Sequence, residues 1–297
     1  MGIISKIEYI NSSWNPWQGC HKVSDGCRNC YMYRERKRYG QDPDVVVRSS
    51  DKTFYAPLTW NEPKRIMVCS WSDFFIKEAD PWREDVIQIM HNCPLHTFII
   101  PTKRPEQIFN SLIRNSSPSE KWGNVWFLAS IENQEAADKR IPELLKLREH
   151  GDWPVLGISA EPLLGAIDIT PYIQKLDWVI TGGESGTNAW PCHPDWIRGL
   201  RDQCLDAGVP FFFKQWGEWA PKRTTGIKSI KSKRWGVITE KGEYLSETTP
   251  WNGHDDDGSG EAVVVKVGKK AAGRLIDGRE WNQFPEKRDD KKHLICV

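Results

Sequence analysis

VWFLASIENQEAADKRIPELLKLREHGDWPVLGISAEP, residues 125–162, is the stretch on which the fold turns. Two short apolar runs, Val125–Ser130 and Val155–Ala160, flank a long amphipathic segment, Gln134–Glu149. A continuously apolar run of this length predicts a strand covered on both faces, and an intervening helix predicts that the two strands run parallel. The beat continues in both directions. Upstream lie Ile7–Ile10, a basic helix over Tyr31–Tyr39, Arg65–Ser70, a helix around Trp82–His91, Thr97–Pro101 and a helix beginning at Pro105. Downstream come Asp177–Gly183, a helix near Pro194–Ala207 and Pro210–Gln215. About seven such units, with no dinucleotide-type glycine fingerprint after the first strand, favour an α/β fold with a parallel (β/α) barrel, complete or partial, over an open doubly wound sheet. The rhythm stops after Trp219. Residues 1–219 therefore read as the barrel and 220–297 as a small C-terminal extension or lid, with Glu261–Val267 an exposed strand in it and Asp255–Asp257 a solvated loop.

Each strand ends in polar residues. Ser70–Asp73, Thr102-Lys103-Arg104, Ser130–Asn133, Ser159-Ala160-Glu161, Gly182-Gly183-Glu184 and Lys214-Gln215 all fall at or just after an apolar run. The C-terminal edge of the strands is where parallel barrels carry their sites, so a shared site is expected at this rim.

Composition excludes several classes. A net charge of +1 over 297 residues gives no global field toward nucleic acid or membrane. No stretch approaches the ~18 consecutive apolar residues of a membrane span, so no membrane partner is expected. The opening MGIISKIEYINSSW lacks the apolar core of a secretory signal, and a cytoplasmic location is expected. In that compartment the eight cysteines read as thiols or metal ligands, not disulfides. Sixteen tryptophans, several beside Pro, Gly or a charge, suggest loops around a pocket as well as core.

Three of the cysteines cluster in WNPWQGCHKVSDGCRNCY, at Cys20, Cys27 and Cys30. A Cys-x2-Cys step grips one centre from a single turn, and the third thiol closes a loop containing Gly19 and Gly26. Three sulfurs suit a cubane iron–sulfur cluster with one iron left open for chemistry. A structural zinc site completed by His21, Cys192 or His193 is the alternative reading.

The three-cysteine loop followed by an aromatic, Tyr31, at the head of a (β/α) series resembles the radical S-adenosylmethionine superfamily. More closely, WNPWQGC…GCRNCY, TKRPEQ, SIENQEAADKRIPELL, SAEPLLG, DWVITGGESG, PFFFKQWG and GKKAAGRLIDGREW resemble a phage- and bacterium-borne three-cysteine-motif family across nearly the whole chain. TKRP is also similar to the Thr-Lys step of spore photoproduct lyase-like enzymes. Six residues separate Cys20 from Cys27, where the superfamily usually has three.

The resemblance implies a [4Fe-4S] cluster on the three cysteines, S-adenosyl-L-methionine as cofactor, and an external electron donor of the flavodoxin or ferredoxin kind. It implies that Tyr31 packs on the adenine, Asp73 meets the methionine ammonium, and Lys103 or Arg104 pairs with its carboxylate. Ser130 and Glu132 are then expected at the ribose hydroxyls or the ammonium, and Gly182-Gly183 where backbone approaches a ligand. Glu161, Glu184 and Lys214 are the candidate catalytic groups. The substrate stays open. Nucleobase or DNA modification suits the basic helix (Arg34, Arg36, Lys37, Arg38) and the basic stretch Lys222–Arg234, with peptides and small molecules as other possibilities. The rival class is a zinc-stabilised nucleic-acid-binding protein without catalysis. A hydrolase using Glu161, Glu184 and His193 is a third.

Overall fold

A computed structural model of the chain describes residues 7–113, 122–151, 153–225, 234–246 and 260–286. Seven strands, β1 (Ser12–Trp14), β2 (Arg65–Val68), β3 (Thr97–Thr102), β4 (Val125–Ser130), β5 (Val155–Ala160), β6 (Trp178–Gly182) and β7 (Phe211–Gln215), form one sheet. Every neighbouring pair is parallel and the spatial order follows the chain. β1 and β7 do not pair with each other, so the sheet curls into a half-barrel and stays open on one side. Of the expected alternatives, the partial barrel is the one realised.

Period-two alternation sorts the strands into two cores. Ile66, Val68, Phe98, Ile100, Phe127, Ala129, Leu156, Ile158, Val179, Phe211 and Phe213 face the covering helices. Met67, Ile99, Trp126, Leu128, Trp178, Ile180 and Phe212 face the concave side. α1 (Tyr31–Arg38) follows the cysteine loop and borders the concave side, while α2 (Asp80–His91), α3 (Gln134–Leu145) and α4 (Pro194–Ala207) pack outside. α3 starts where the Asn133 side chain accepts from the Ala136 amide, and it buries Ala136, Ala137, Arg140, Ile141, Leu144 and Leu145 along one face. α4 opens on Pro194 and ends at Gly208, whose φ of +68° is the left-handed cap that glycine adopts without strain.

Several expectations change. Ile7–Ile10 is a turn, not a strand: Ile10 N donates to Ile7 O, and the first strand begins at Ser12. The helix expected from Pro105 is a 3-10 turn (Pro105–Gln107) followed by a π turn (Phe109–Ile113). Among the described residues no tryptophan lines the 630 Å³ cavity at the strand C-termini; Trp14, Trp17 and Trp178 are fully buried, and their ring N–H groups find backbone carbonyls. Glu261–Lys266 is not exposed. As β11 it lies inside a four-stranded antiparallel sheet with β8 (Trp219–Pro221), β9 (Trp235–Thr239) and β10 (Tyr244–Ser246), in the order β8-β11-β9-β10, and Val263, Val264 and Val265 are buried. Residues 226–233 of the basic stretch, Asp255–Asp257 and Cys296 lie outside the described residues.

The C-terminal segment closes what the sheet leaves open. Phe213 N donates to Trp281 O, and Gln283 N to Phe211 O, so the outer edge of β7 is paired instead of exposed. Phe284 then packs on Trp178 and Phe212, with the Arg65 guanidinium 4.4 Å from its ring centre. No helix of the described residues is long and apolar enough to cross a membrane.

Candidate functional site

The concave face changes character along the strands. Continuing the inward positions toward the strand C-termini takes Ile99 to Pro101 and Lys103, Leu128 to Ser130 and Glu132, and Ile180 to Gly182 and Glu184. Phe212 is followed by Lys214, and Ser159 by Glu161. Of these, Pro101, Lys103, Ser130, Ser159, Glu161, Glu184 and Lys214 line a cavity of about 630 Å³, within the ~300–1,000 Å³ range of ligand clefts, and Glu132 and Gly182 do not. Cys20, Cys27, Cys30 and Tyr31 line it too, together with Asp73, Lys103, Arg104, Ser130, Glu161, Gly183, Glu184 and Lys214. Most of the residues expected at the rim, and all three cysteines, therefore share one space.

The cysteine loop is bolted to the sheet. Gly19, at φ +97°, has Val45 O only 2.2 Å from where a Cβ would sit, so no side chain fits there. Its amide donates to Trp71 O, and the Cys20 amide donates to Pro43 O, both at 3.0 Å. Arg104 reaches from the end of β3 to the loop: Nη2 donates to His21 O at 3.0 Å and Nη1 lies 3.9 Å from Cys20 Sγ. Asn29, between Cys27 and Cys30, donates to Glu184 Oε2 at 3.0 Å and to Asn188 O at 2.8 Å. Gly26 packs on Lys103 and Glu132 at Cβ distances of 2.8 and 3.1 Å. Three strand ends thus hold the loop at three points.

Asp73 is a bracket. Its Oδ1 accepts from Thr102 Oγ1 (2.8 Å) and Phe75 N (3.0 Å), and its Oδ2 from Lys103 N (2.9 Å) and Arg104 Nη1 (3.1 Å). Those four partners occupy the carboxylate, so Asp73 is committed to Arg104 and not to a ligand ammonium. Glu132 is likewise occupied. It is buried and accepts from Lys103 Nζ at 2.6 Å and Arg140 Nη1 at 2.9 Å. Burial, the largest influence, would raise its pKa, but its neighbours together, Lys103 foremost and Arg140 among them, hold the carboxyl below its ordinary range. What approaches the glycine pair is protein: a Cβ on Gly182 would lie 2.9 Å from Glu161 Oε1, and one on Gly183 2.0 Å from Trp216 O.

The far wall carries a second polar group. Lys214 Nζ lies 3.1 Å from Glu161 Oε1, and Glu161 Oε2 accepts from Ser159 Oγ at 3.3 Å and Tyr9 OH at 3.5 Å. Tyr9, unforeseen from the sequence, closes the cavity floor with its ring edge-on to Trp178 and Phe212. Burial, then the Glu161 charge, push its phenol well up, so it stays a hydrogen donor. Glu184 also accepts from Trp190 N at 2.7 Å. It anchors the loop, while Glu161 and Lys214 face open space.

The thiols are free, and each of the three is partly exposed. Burial, then the Asp73 charge, raise Cys20 to about 12 against the opposing Arg104; burial also raises Cys30. Among the described residues no group of three or more His, Cys, Asp or Glu is gathered so as to hold one metal ion. A cubane asks for something else, since each cysteine ligates a different iron. Three thiols around one cavity edge fit that donor set. Cys192 and His193 are buried at the start of α4, outside the cavity lining; His21 lines the cavity but is paired with Glu78 at 2.7 Å. Arg36, expected on a basic face, is buried and donates to Asp42 O and Val45 O. Ser130 lines the cavity, and Tyr31 borders it while donating to Ser70 O.

No curated protein and no solved structure matches the chain. A family described as "Protein of unknown function (DUF5131)" matches residues 4–285, and the chain belongs to that family.

Proposed function

We propose that this DUF5131 protein is a radical S-adenosylmethionine enzyme whose cluster is held by Cys20, Cys27 and Cys30. The observation that carries the reading is the meeting of three free, partly exposed thiols and the polar ends of six parallel strands around one cavity. Bound there, a [4Fe-4S] cluster with S-adenosyl-L-methionine supplies a 5′-deoxyadenosyl radical for hydrogen abstraction from substrate.

The chain's own residues do the rest. Arg104, locked by Asp73, steadies Cys20; Asn29, locked by Glu184, steadies the span between Cys27 and Cys30. Lys103 and Ser130 offer polar contacts on the cysteine side of the cavity, and Tyr31 an aromatic face. Below them Tyr9, backed by the buried rings of Trp178 and Phe212, gives an apolar floor that would keep water from a reactive intermediate. Glu161 and Lys214, on the opposite wall, are placed to meet the substrate. A flavodoxin- or ferredoxin-type donor would deliver the electron, and a reducing cytoplasm suits the free thiols.

Anaerobic reconstitution tests the reading. Wild-type protein is expected to take up about four irons per chain and to form 5′-deoxyadenosine from S-adenosylmethionine with dithionite. Replacing Cys20, Cys27 or Cys30 by Ala is expected to abolish both. Wild-type iron content in all three variants overturns the proposal, and a colourless protein with one zinc per chain favours a zinc-stabilised nucleic-acid-binding protein instead.

A further inference from the structure

The radical reading gives the cysteine side of the cavity to the cofactor and leaves open what meets Glu161 and Lys214. The cysteines, Arg104 and Lys103 occupy one side. The second wall comprises Tyr9, Ser159, Glu161 and Lys214, joined in the lining by Arg34 and Lys269, while Met67 and Pro101 come from β2 and β3, the strands that lead to the cysteine-side residues. We propose that this second wall receives a nucleoside phosphate, with the base on the floor and the phosphate at the mouth. The inference rests on the proposed function only in assigning the cysteine side to the cofactor.

Three features of the lining match three features of that ligand. Met67 and Pro101 offer an apolar surface for the face of a flat ring. Glu161, Lys214, Ser159 and Tyr9 form one hydrogen-bonded group; Lys214 Nζ sits 5.9 Å from the Tyr9 ring centre. That group carries donors in Lys214 and the two hydroxyls. Its acceptors are the hydroxyl oxygens and Glu161 Oε1, which among the described residues only Lys214 engages. The edge of a nucleobase requires both kinds. An aliphatic acid or a sugar lacks the flat face, and a hydrophobic ligand would strand the Glu161–Lys214 pair.

The mouth supplies the anion site. Arg34 Nη1 lies 2.4 Å from where a Gly186 Cβ would stand, so this glycine is what lets the guanidinium fold over the loop after β6. Gly186 N donates to Glu218 Oε1 at 3.2 Å, and Glu218 O accepts from Val267 N and Gly268 N at 3.0 Å. Lys269 and Lys270 follow directly, and Lys266 donates to Thr187 O in the same loop. Arg34 and Lys269 thus line the cavity beside the loop after β6, and Lys266 and Lys270 lie close to Lys269 along the chain. Three carboxylates line the cavity there, and each is engaged: Glu35 lies 3.3 Å from Arg34, Glu218 accepts from Gly186 N, and Glu184 accepts from Asn29 and Trp190 N. Lys269 has no ion-pair partner among the described residues.

The experiment is equilibrium binding to the full-length protein without S-adenosylmethionine, by calorimetry and fluorescence anisotropy. The probes are nucleoside 5′-monophosphates, a short labelled single-stranded oligodeoxynucleotide, the unphosphorylated nucleosides and inorganic phosphate. Nucleotide or oligonucleotide is expected to bind at least about tenfold more tightly than nucleoside or phosphate alone. Which of the two binds better identifies a free nucleotide or a nucleic acid strand as the source. Lys269→Glu is expected to weaken binding about tenfold and to flatten its salt dependence, with Lys269→Gln intermediate; an unchanged melting curve excludes misfolding as the cause. Glu161→Gln is expected to change the preference among bases. Equal affinity for nucleotide and inorganic phosphate, or affinity indifferent to both Lys269 variants, overturns the inference. Iron uptake and 5′-deoxyadenosine formation are scored separately, so either proposal can fail alone.

Discussion

Floor and rim are built on the same strands, yet the inward positions at their two ends have opposite chemistry. Near the strand N-termini they hold Ile99, Trp126, Trp178 and Phe212, packed edge-to-face and sealed by Tyr9 and Phe284. One or two alternations later they hold Lys103, Ser130, Glu132, Glu161 and Lys214. The backbone ladder is common to both, so the side chains alone decide which end stabilises and which end binds. The rim compensates for its buried charge by pairing it: Asp73 with Arg104, Glu132 with Lys103 and Arg140, Glu161 with Lys214. Of these pairs, Glu161–Lys214 alone belongs wholly to the wall opposite the cysteines.

The largest effect is expected at the floor. Trp178 is fully buried and touches Tyr9, Trp126, Phe212 and Phe284. Trp178→Ala leaves a cavity under the whole site and is expected to cost about 3–5 kcal/mol of stability, read as a shifted denaturant midpoint. The site should fail with it. If Trp178→Ala melts like wild type, the floor is not the stabilising end and the contrast is wrong.

At the rim a smaller but more selective loss is expected. In Asp73→Asn the new amide NH₂ faces the Lys103 N–H and the Arg104 guanidinium in place of Oδ2, or else meets the donors at Oδ1. Two donors lose their acceptor, for about 1–3 kcal/mol. Arg104 is then no longer held against Cys20, so iron uptake on reconstitution should fall below wild type while the floor aromatics keep their near-ultraviolet signature. Full iron loading in Asp73→Asn would show that the bracket does not position the cysteine.

Strand positions and rim composition were legible because both are local: an apolar run marks its own strand, and the residue after it marks the strand end. Partners were not legible, because they are distant. Nothing in Cys69–Asp73 announces that Thr102, Lys103 and Arg104 will saturate Asp73, and nothing near Glu132 except a lone arginine on the buried face of α3 points to Arg140. Asn29 looks like a loop residue until the turn at Glu184 is folded beside it. Tyr9 escapes for a different reason: the apolar run Ile7–Ile10 reads as a strand but folds as a turn, and a turn points its side chains where strand alternation does not foretell. β11 was read as exposed although AVVV is as continuous as the barrel strands; its covering came from segments too polar to suggest a second sheet.

The weakest of these effects is expected where charge sits outside the floor. Asp277 pins the C-terminal segment to α4 through Arg198 at 2.7 Å and Arg201 at 2.8 Å, just before the residues that pair with β7. The hydrogen bonds from Arg198, then Arg201, overcome a desolvation that acts the other way, and they lower its carboxyl from 3.8 to about 2. A lowered folded-state value means that the contribution is fully present above about pH 4 and is lost as pH falls through about 2. Its side chain is 45% exposed, so solvent screens the pair and Asp277→Asn should cost less than about 1 kcal/mol at neutral pH. The variant should also show a shallower loss of Tm between pH 4 and pH 2 than wild type, with the two curves converging at the acid end. Parallel curves through that window would mean that Phe284 and the β7 edge hold the segment without the charge, leaving the apolar end of the half-barrel to close itself.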